Sequence, residues 1–365
     1  MPFQAVDLMD SRKKLVLDVL GGMSLSEACR LANVTRVTGR KWVKRAEGVG
    51  VDGLQEHSRA PHNVPGKTEL EIEAALLKLK AKYPHWGARK LVPLLYTECE
   101  MVLATRTAEH ILQRNGLTNS PKPLQPLQRF ERESCGSLLQ MDFKGLPKSC
   151  PYSLLTVLDD YGRFCLAFEP LPDKSGRSVT KTLWELFGRH GLPDSMLMDN
   201  GDCWGSPNSR SVNKVEAWLM LLGIKPIHGR IYHPQTQGKV ERFHGTAKLE
   251  LGASLVQESC EAVRPLLHDF VERYNWVRPH DALGGKAPGS RYQPFPRKRP
   301  DKFPEHQIPE GALRRKVDGS GKFWYKNREY NIGNGLDHQT IAIQEDLLGM
   351  RVFFAGFPLA YIHEL

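Results

Sequence analysis

Three acids stand where carboxylates could do chemistry. Asp142 lies in the apolar run Gln140-Met141-Asp142-Phe143, so its charge is either buried at a cost or placed for use. Asp199 closes a short apolar run at Met198-Asp199-Asn200-Gly201, and α/β proteins put ligands at the ends of strands. Glu241 belongs to the helical stretch Gly238-Lys239-Val240-Glu241-Arg242-Phe243-His244. Three convergent carboxylates can hold two Mg²⁺ ions, which prefer oxygen ligands, and Mn²⁺ is expected to substitute. Two such ions ~3.5–4 Å apart activate the attacking oxygen and stabilise the leaving one in phosphodiester chemistry. One acid among 41 says little; the strand, strand, helix placement gives the trio its weight.

The elements that must position these acids begin near Gly136. Residues 138–143, 153–158 and 164–169 read as strands, the last two joined by the turn Asp159-Asp160-Tyr161-Gly162. Residues 178–190 read as a helix, 195–198 as a strand, 212–222 as a helix, 225–228 as a strand, and 233–251 and 260–275 as helices. Antiparallel strands followed by alternating helices and strands imply a mixed α/β domain over 135–285. Asp159 and Asp160, on the hairpin turn, are read as bystanders to the trio.

Upstream lie two helical modules. Residues 10–47 give a support helix, a turn at Asn33-Val34-Thr35, and a basic helix bearing Arg36, Arg40, Lys41, Lys44 and Arg45. That order predicts a helix-turn-helix DNA-binding module over 1–55, although Gly39 interrupts its basic helix. A second such module, winged, is expected over 66–118, with Arg106, Thr107, His110 and Arg114 on the polar positions of its last helix. Residues 119–134 read as a linker. Downstream, 286–312 read as a basic, Pro-rich linker whose Arg297-Lys298-Arg299 could track a phosphate backbone. Five or six short strands over 313–365 predict a small SH3-like β-barrel.

Composition agrees with a soluble, multidomain chain. Of 365 residues, 51 are Lys or Arg, for a formal net charge of +10, which favours a polyanionic partner. No apolar stretch approaches the ~18–20 residues that span a bilayer, and the charged start lacks a signal peptide's apolar core. Seven scattered cysteines without a Cys-x-x-Cys pair predict free thiols in a reducing cytoplasm. His57, His62 and His85 do not form a zinc set with them.

Several segments are similar to one family. Leu139-Gln140-Met141-Asp142-Phe143, Val157-Leu158-Asp159-Asp160-Tyr161-Gly162-Arg163-Phe164 and Met198-Asp199-Asn200-Gly201 resemble the DDE transposases with a retroviral-integrase-type core, closest to the IS481-like group. The most specific stretch is His233-Pro234-Gln235-Thr236-Gln237-Gly238-Lys239-Val240-Glu241-Arg242-Phe243-His244, followed by Tyr274-Asn275-Trp276-Val277-Arg278-Pro279-His280. Further support comes from His85-Trp86-Gly87-Ala88-Arg89-Lys90 and Ile111-Leu112-Gln113-Arg114-Asn115-Gly116-Leu117. Two departures stand out. Asp199 and Glu241 lie further apart than is usual, the excess falling in 204–212, and Gly39 replaces an apolar residue of the recognition helix.

The resemblance implies an RNase H-like core with Asp142, Asp199 and Glu241 as the metal-binding triad. It implies a transposase that binds the terminal inverted repeats of its own element, nicks each end by metal-assisted hydrolysis, and joins the 3′-OH ends to target DNA. The protein would work on double-stranded DNA as a homodimer or higher multimer, in the nucleoid of a bacterial cytoplasm. Lys239, Arg242 and Lys248 would approach the phosphates of a bound end, and His244 would pack, orient a scissile phosphate or act in proton transfer. Trp86, Trp184 and Trp218 are read as core, and Arg278-Pro279-His280 as a structural lock. The alternatives are a catalytically dead, sequence-specific DNA-binding regulator and, more remotely, an RNase H-like nuclease on RNA–DNA hybrids.

Overall fold

The computed structural model describes residues 8–55, 68–118, 131–199, 211–228, 238–306 and 308–364. The chain forms two compact units, Met1–Thr68 and Glu69–Leu365. His57, His62, Asn200, most of 204–212 and the 233–237 part of the longest motif lie outside the described residues.

Among its described residues the first unit holds three α-helices, α1 (Leu8–Leu20), α2 (Leu25–Leu31) and α3 (Arg36–Val49), and a 3-10 turn at Gly50–Leu54. Ser24 and Thr35 cap the second and third, their hydroxyls accepting from the Glu27 and Thr38 N–H groups at 3.3 and 3.2 Å. Leu15, Val16, Cys29, Trp42 and Leu54 form the core. Gly39 does not weaken α3 but makes room in it: a Cβ there would stand 2.1 Å from the Cys29 sulfur. A Gly39→Ala variant should therefore lose about 1–3 kcal/mol despite alanine's better helix propensity. Adding Cys29→Ala should recover most of that loss in thermal melts. A single variant that melts higher than wild type would show that α2 and α3 do not pack here.

The second unit opens with α4 (Leu70–Lys82), α5 (Ala88–Cys99) and α6 (Thr105–Arg114). They share a core of Leu76, Trp86, Leu91, Leu95, Ile111 and Leu112. No strand occurs in 68–118, so the expected wing is absent there. Gly116, at φ +69°, turns the chain so that the Leu117 N–H reaches the Leu112 carbonyl at 2.8 Å. That bond closes α6 with no hairpin.

A five-stranded sheet follows, in the order β3-β2-β1-β4-β5. β1 (Leu139–Lys144), β2 (Ser153–Asp159) and β3 (Cys165–Leu171) are antiparallel, while β4 (Ser195–Met198) and β5 (Lys225–His228) run parallel to β1. Period-two alternation sorts their side chains. Leu139, Met141, Leu155 and Val157 face α7 (Gly176–His190) and α8 (Lys214–Leu221). Leu154, Leu158 and Phe168 face Phe243 and Phe270 of α9 (Gly238–Leu251) and α10 (Cys260–Glu272), the latter running into a π-helical turn at Arg273–Val277.

The segment expected to be a free linker after the core is a strap on it. Phe295 is buried against α7, and Leu192 and Arg297 form an antiparallel bridge. His190 Nδ1 shares a 2.6 Å hydrogen bond with the Tyr292 hydroxyl. Apolar residues every few positions, hidden between prolines, give this segment its grip.

Burial, with Arg189 nearby, pushes His190 down to about 4. Burial, with Lys90, Arg278, Arg163 and Arg242 facing it, pushes His280 to about 3. Both must fold neutral, so their share of stability is intact above the ordinary histidine value near 6.5 and is lost as pH falls below it. The unfolding free energy from urea titrations should drop between pH 7 and pH 5 by roughly 1–2 kcal/mol per histidine. A flat profile over that window would contradict their burial.

Among the described residues six strands follow: β6 (Leu313–Lys316), β7 (Lys322–Tyr325), β8 (Arg328–Asn331), β9 (Thr340–Asp346), β10 (Gly349–Phe354) and β11 (Phe357–Tyr361). They form a four-stranded antiparallel sheet, β11-β10-β9-β6, and a β7–β8 hairpin. Val317, Phe323, Ile341 and Phe354 share a core with Val212, Ala217 and Met220 at α8. Among the described residues no helix is long and apolar enough to cross a membrane.

Candidate active site

β1 carries Asp142 on the face turned to α9, because Leu139 and Met141 take the opposite face. β1 and β4 pair in parallel with Leu139 opposite Met196 and Gln140 opposite Leu197. Continued by two residues, that register sets Asp199 beside Asp142. α9 packs on β1 and β2 and brings Glu241 and His244 on its first turns. Burial first, and then the negative charges of Asp199 and Glu241, push the Asp142 carboxyl up to about 6. The three acids therefore share one electrostatic environment. Among the described residues, however, no three His, Cys, Asp or Glu side chains are drawn together closely enough to enclose an ion.

Two supports went unread in the sequence. Thr156 is the cross-strand partner of Asp142, and its hydroxyl shares a 2.8 Å hydrogen bond with His244 Nε2. His244 Nδ1 stands 3.8 Å from Asp142, and burial with Lys144 nearby pushes the imidazole down to about 4, leaving it neutral. On the other side His228 Nδ1 donates to the Asp199 carbonyl at 3.2 Å, while its Nε2 meets buried Glu216 at 2.6 Å. Glu216 also completes a capping box with Asn213 at the start of α8. The strand-end position of His228 was visible in the sequence; its partner across α8 was not.

The turn acids serve structure. Asp159 accepts from the Gly136 and Gly162 N–H groups at 2.9 and 2.6 Å. Asp160 accepts from Gln140 and the Arg132 N–H, both at 2.8 Å. It also pairs with Lys239 at 2.5 Å, so Lys239 is spent inside the protein rather than aimed at DNA.

Other expected DNA contacts divide in the same way. Arg297 bonds the Gly223 carbonyl at 2.9 Å and the Pro193 carbonyl. Arg299 bonds the Trp184 carbonyl at 2.9 Å and stacks on its ring. Both guanidiniums staple the strap, and only Lys298 of that trio is exposed. Arg45 folds back over Trp42, and Arg114 pairs with Glu73. Arg106 meets Glu109 at 3.4 Å while staying exposed. Arg36, Arg40, Lys41 and Lys44 line the exposed side of α3, His110 is exposed on α6 with Thr107 half-buried, and Arg242 and Lys248 are exposed on α9.

The mixed sheet thus carries one acid on its first strand and another at the end of the parallel strand beside it. The integrase core domain family matches residues 133–234 and again 222–288. A helix-turn-helix domain family matches 11–62, and a homeodomain-like family 38–112.

The protein assigned as the transposase of insertion sequence element IS5376 from Geobacillus stearothermophilus is 23% identical over 367 residues, covering 94% of this chain and 84% of that one. The Pol polyprotein of a radiation murine leukemia virus is 38% identical over 96 residues, 26% of this chain and only 15% of the polyprotein. The catalytic core domain of BIV integrase covers 42% of this chain and 92% of that one, at 24% identity and a TM-score of 0.33. The chain thus carries an integrase core of the rve kind behind helix-turn-helix modules, and it is related to the transposases of insertion elements.

Proposed function

We propose that this chain is a DNA transposase of the IS481-like group. The observation that carries the reading is the coupling of Asp142, Asp199 and Glu241 at one end of the integrase-type sheet. Burial and then the negative charges of Asp199 and Glu241 disfavour the charged form of Asp142, and a hard divalent cation is the natural relief. The donor set, all oxygen, fits two Mg²⁺ ions. When bound there, they supply Lewis acidity to the attacking and leaving oxygens of a phosphodiester.

The chain's own groups do the positioning. Asp142 and Asp199 offer oxygens from neighbouring strands, and Glu241 offers its own from the helix above. Neutral His244, tied to Thr156, holds the wall beside Asp142, and His228 holds the Asp199 backbone. Exposed Arg36, Arg40, Lys41 and Lys44 on α3, with α6, bind the terminal inverted repeats as double-stranded DNA. Water then cuts one strand at each end, and the freed 3′-OH attacks target DNA in line. Two ends must be held together, so the working form is a homodimer or a higher multimer in the bacterial cytoplasm. The C-terminal strands serve as an SH3-like barrel flanking the core.

The test is incubation of the full chain with labelled DNA carrying its gene's own flanks and Mg²⁺ or Mn²⁺. Discrete nicks at the element ends support the reading. Tight binding with no nick under any assembly condition would instead mark a DNA-binding regulator.

A further inference from the structure

Asp159 and Asp160 are neighbours at the β2–β3 turn, yet their side chains reach in different directions. Asp159 closes the turn: its carboxylate accepts the Gly162 N–H at 2.6 Å and its carbonyl the Arg163 N–H at 3.0 Å. Asp160 reaches out of the turn. One carboxylate oxygen accepts from Gln140 Nε2 at 2.8 Å and pairs with Lys239 Nζ at 2.5 Å. The other accepts from the Arg132 N–H at 2.8 Å, and the Asp160 carbonyl takes a further bond from Lys239 Nζ at 3.0 Å. Asp160 is fully buried, and the Lys239 side chain is only 15% exposed.

The places of two of these partners along the chain matter. Gln140 stands two residues before Asp142 on β1, on the same face of the sheet. Lys239 stands two residues before Glu241 on the first turn of α9. Val240 between them is buried, so Lys239 and Glu241 flank the stripe on which the helix meets the sheet, each about 100° from it. One carboxylate thus grips both the strand that carries the first acid and the helix that carries the third. Apolar packing through Val240 and Phe243 is non-directional and resists a small roll of the helix weakly. A hydrogen-bonded ion pair is directional and stops that roll. A buried ion pair adds little net stability over apolar residues of like size, and its best attested use is to fix one register.

We propose that Asp160, through Lys239 and Gln140, is a positioning residue that sets Glu241 in its working place relative to Asp142. Its role rests on the transposase reading for what the three acids do, whereas the clamp itself can be tested by ion binding without cleavage.

The experiment compares the full chain with Asp160→Asn, Lys239→Met and the double variant. Three quantities are read: thermal melting without metal, Mn²⁺ binding from the electron paramagnetic resonance of the free ion, and steady-state nicking of labelled element-end DNA. Binding and kinetics are measured well below the lowest melting point. Each single variant strands a buried charge and should melt lower, while the double variant strands none and should melt close to wild type. The double variant should nonetheless bind Mn²⁺ about tenfold more weakly and nick with kcat lowered about 10–100-fold, its KM staying within about twofold. On a Glu241→Gln background the same double change should weaken Mn²⁺ binding no further, because the clamp acts through that acid.

A double variant with wild-type Mn²⁺ affinity and kcat overturns the clamp and leaves Asp160 a structural residue. Further weakening of Mn²⁺ binding on the Glu241→Gln background overturns it too, since the change would then act elsewhere. A wild type that binds Mn²⁺ through Glu241 but never nicks, with binding still weaker in the double variant, keeps the clamp and removes the transposase reading instead. A wild type that takes up no Mn²⁺ overturns both.

Discussion

Asp142→Asn should abolish nicking and strand joining, with a loss on the order of 10³-fold or more, while leaving DNA-end binding within about twofold of wild type. A thousandfold corresponds to roughly 4 kcal/mol of barrier. The change removes one anionic oxygen and keeps the shape. Its neighbours are β2, through Thr156, and α9, through His244, and neither contact requires a charge. The modules expected to recognise the ends lie elsewhere in the chain. The substitution should also raise stability by about 1–2 kcal/mol in metal-free buffer, because a carboxylate opposed by burial and by the charges of Asp199 and Glu241 is gone. Asp199→Asn and Glu241→Gln should behave alike in activity. A dead enzyme that melts no lower than wild type separates chemistry from folding. If Asp142→Asn nicks at the wild-type rate, the chemistry belongs to other residues and the site proposed above is wrong.

The positions of the three acids were legible because each interrupts the apolar pattern around it. Asp142 breaks an apolar strand, Asp199 ends one, and Glu241 sits in a helix whose Val240 and Phe243 mark its buried side. The core strands and the six C-terminal strands were legible for the converse reason, since alternation and turn residues are local signals. What the sequence hid were partnerships across space. Nothing local says that Lys239 will spend its charge on Asp160, or that Arg297 and Arg299 will bond carbonyls of the core instead of phosphates. A basic run reads the same whether it faces solvent or a helix end. Gly39 misled in the same way: its helix cost is local, and the Cys29 sulfur that justifies it arrives from another helix. The wing was expected of the second helical module, and the chain instead turns at Gly116.

One such hidden partnership should carry the largest stability effect in the molecule. Glu250, near the end of α9, accepts from Trp86 Nε1 at 2.9 Å and pairs with Arg278, with Arg273 at 3.5 Å. Trp86, in the turn just before α5, is stacked on Tyr83 at 4.2 Å, while the Arg278 guanidinium lies 5.3 Å over the Trp86 ring. Lys90 adds a 2.8 Å bond to the Pro279 carbonyl. The carboxylate thus joins α5, α9 and the turn after α10, and Arg278 is only 8% exposed. Glu250→Ala would leave that guanidinium buried without its counter-charge, at a cost of about 3–5 kcal/mol. Thermal melts should show a large drop, with the α4–α6 helices loosened from the core. Replacing both partners, Glu250→Leu with Arg278→Met, should cost far less, because no charge is then stranded. A double variant as unstable as the single would mean that packing around Trp86, and not charge pairing, holds the two parts together. The consequence for activity follows from α9 itself. Glu241 and Glu250 share that helix, so a loosened Glu250 end shifts the element that delivers the third acid. The Ala variant should lose nicking even at temperatures where it remains folded, and the double replacement should recover much of it.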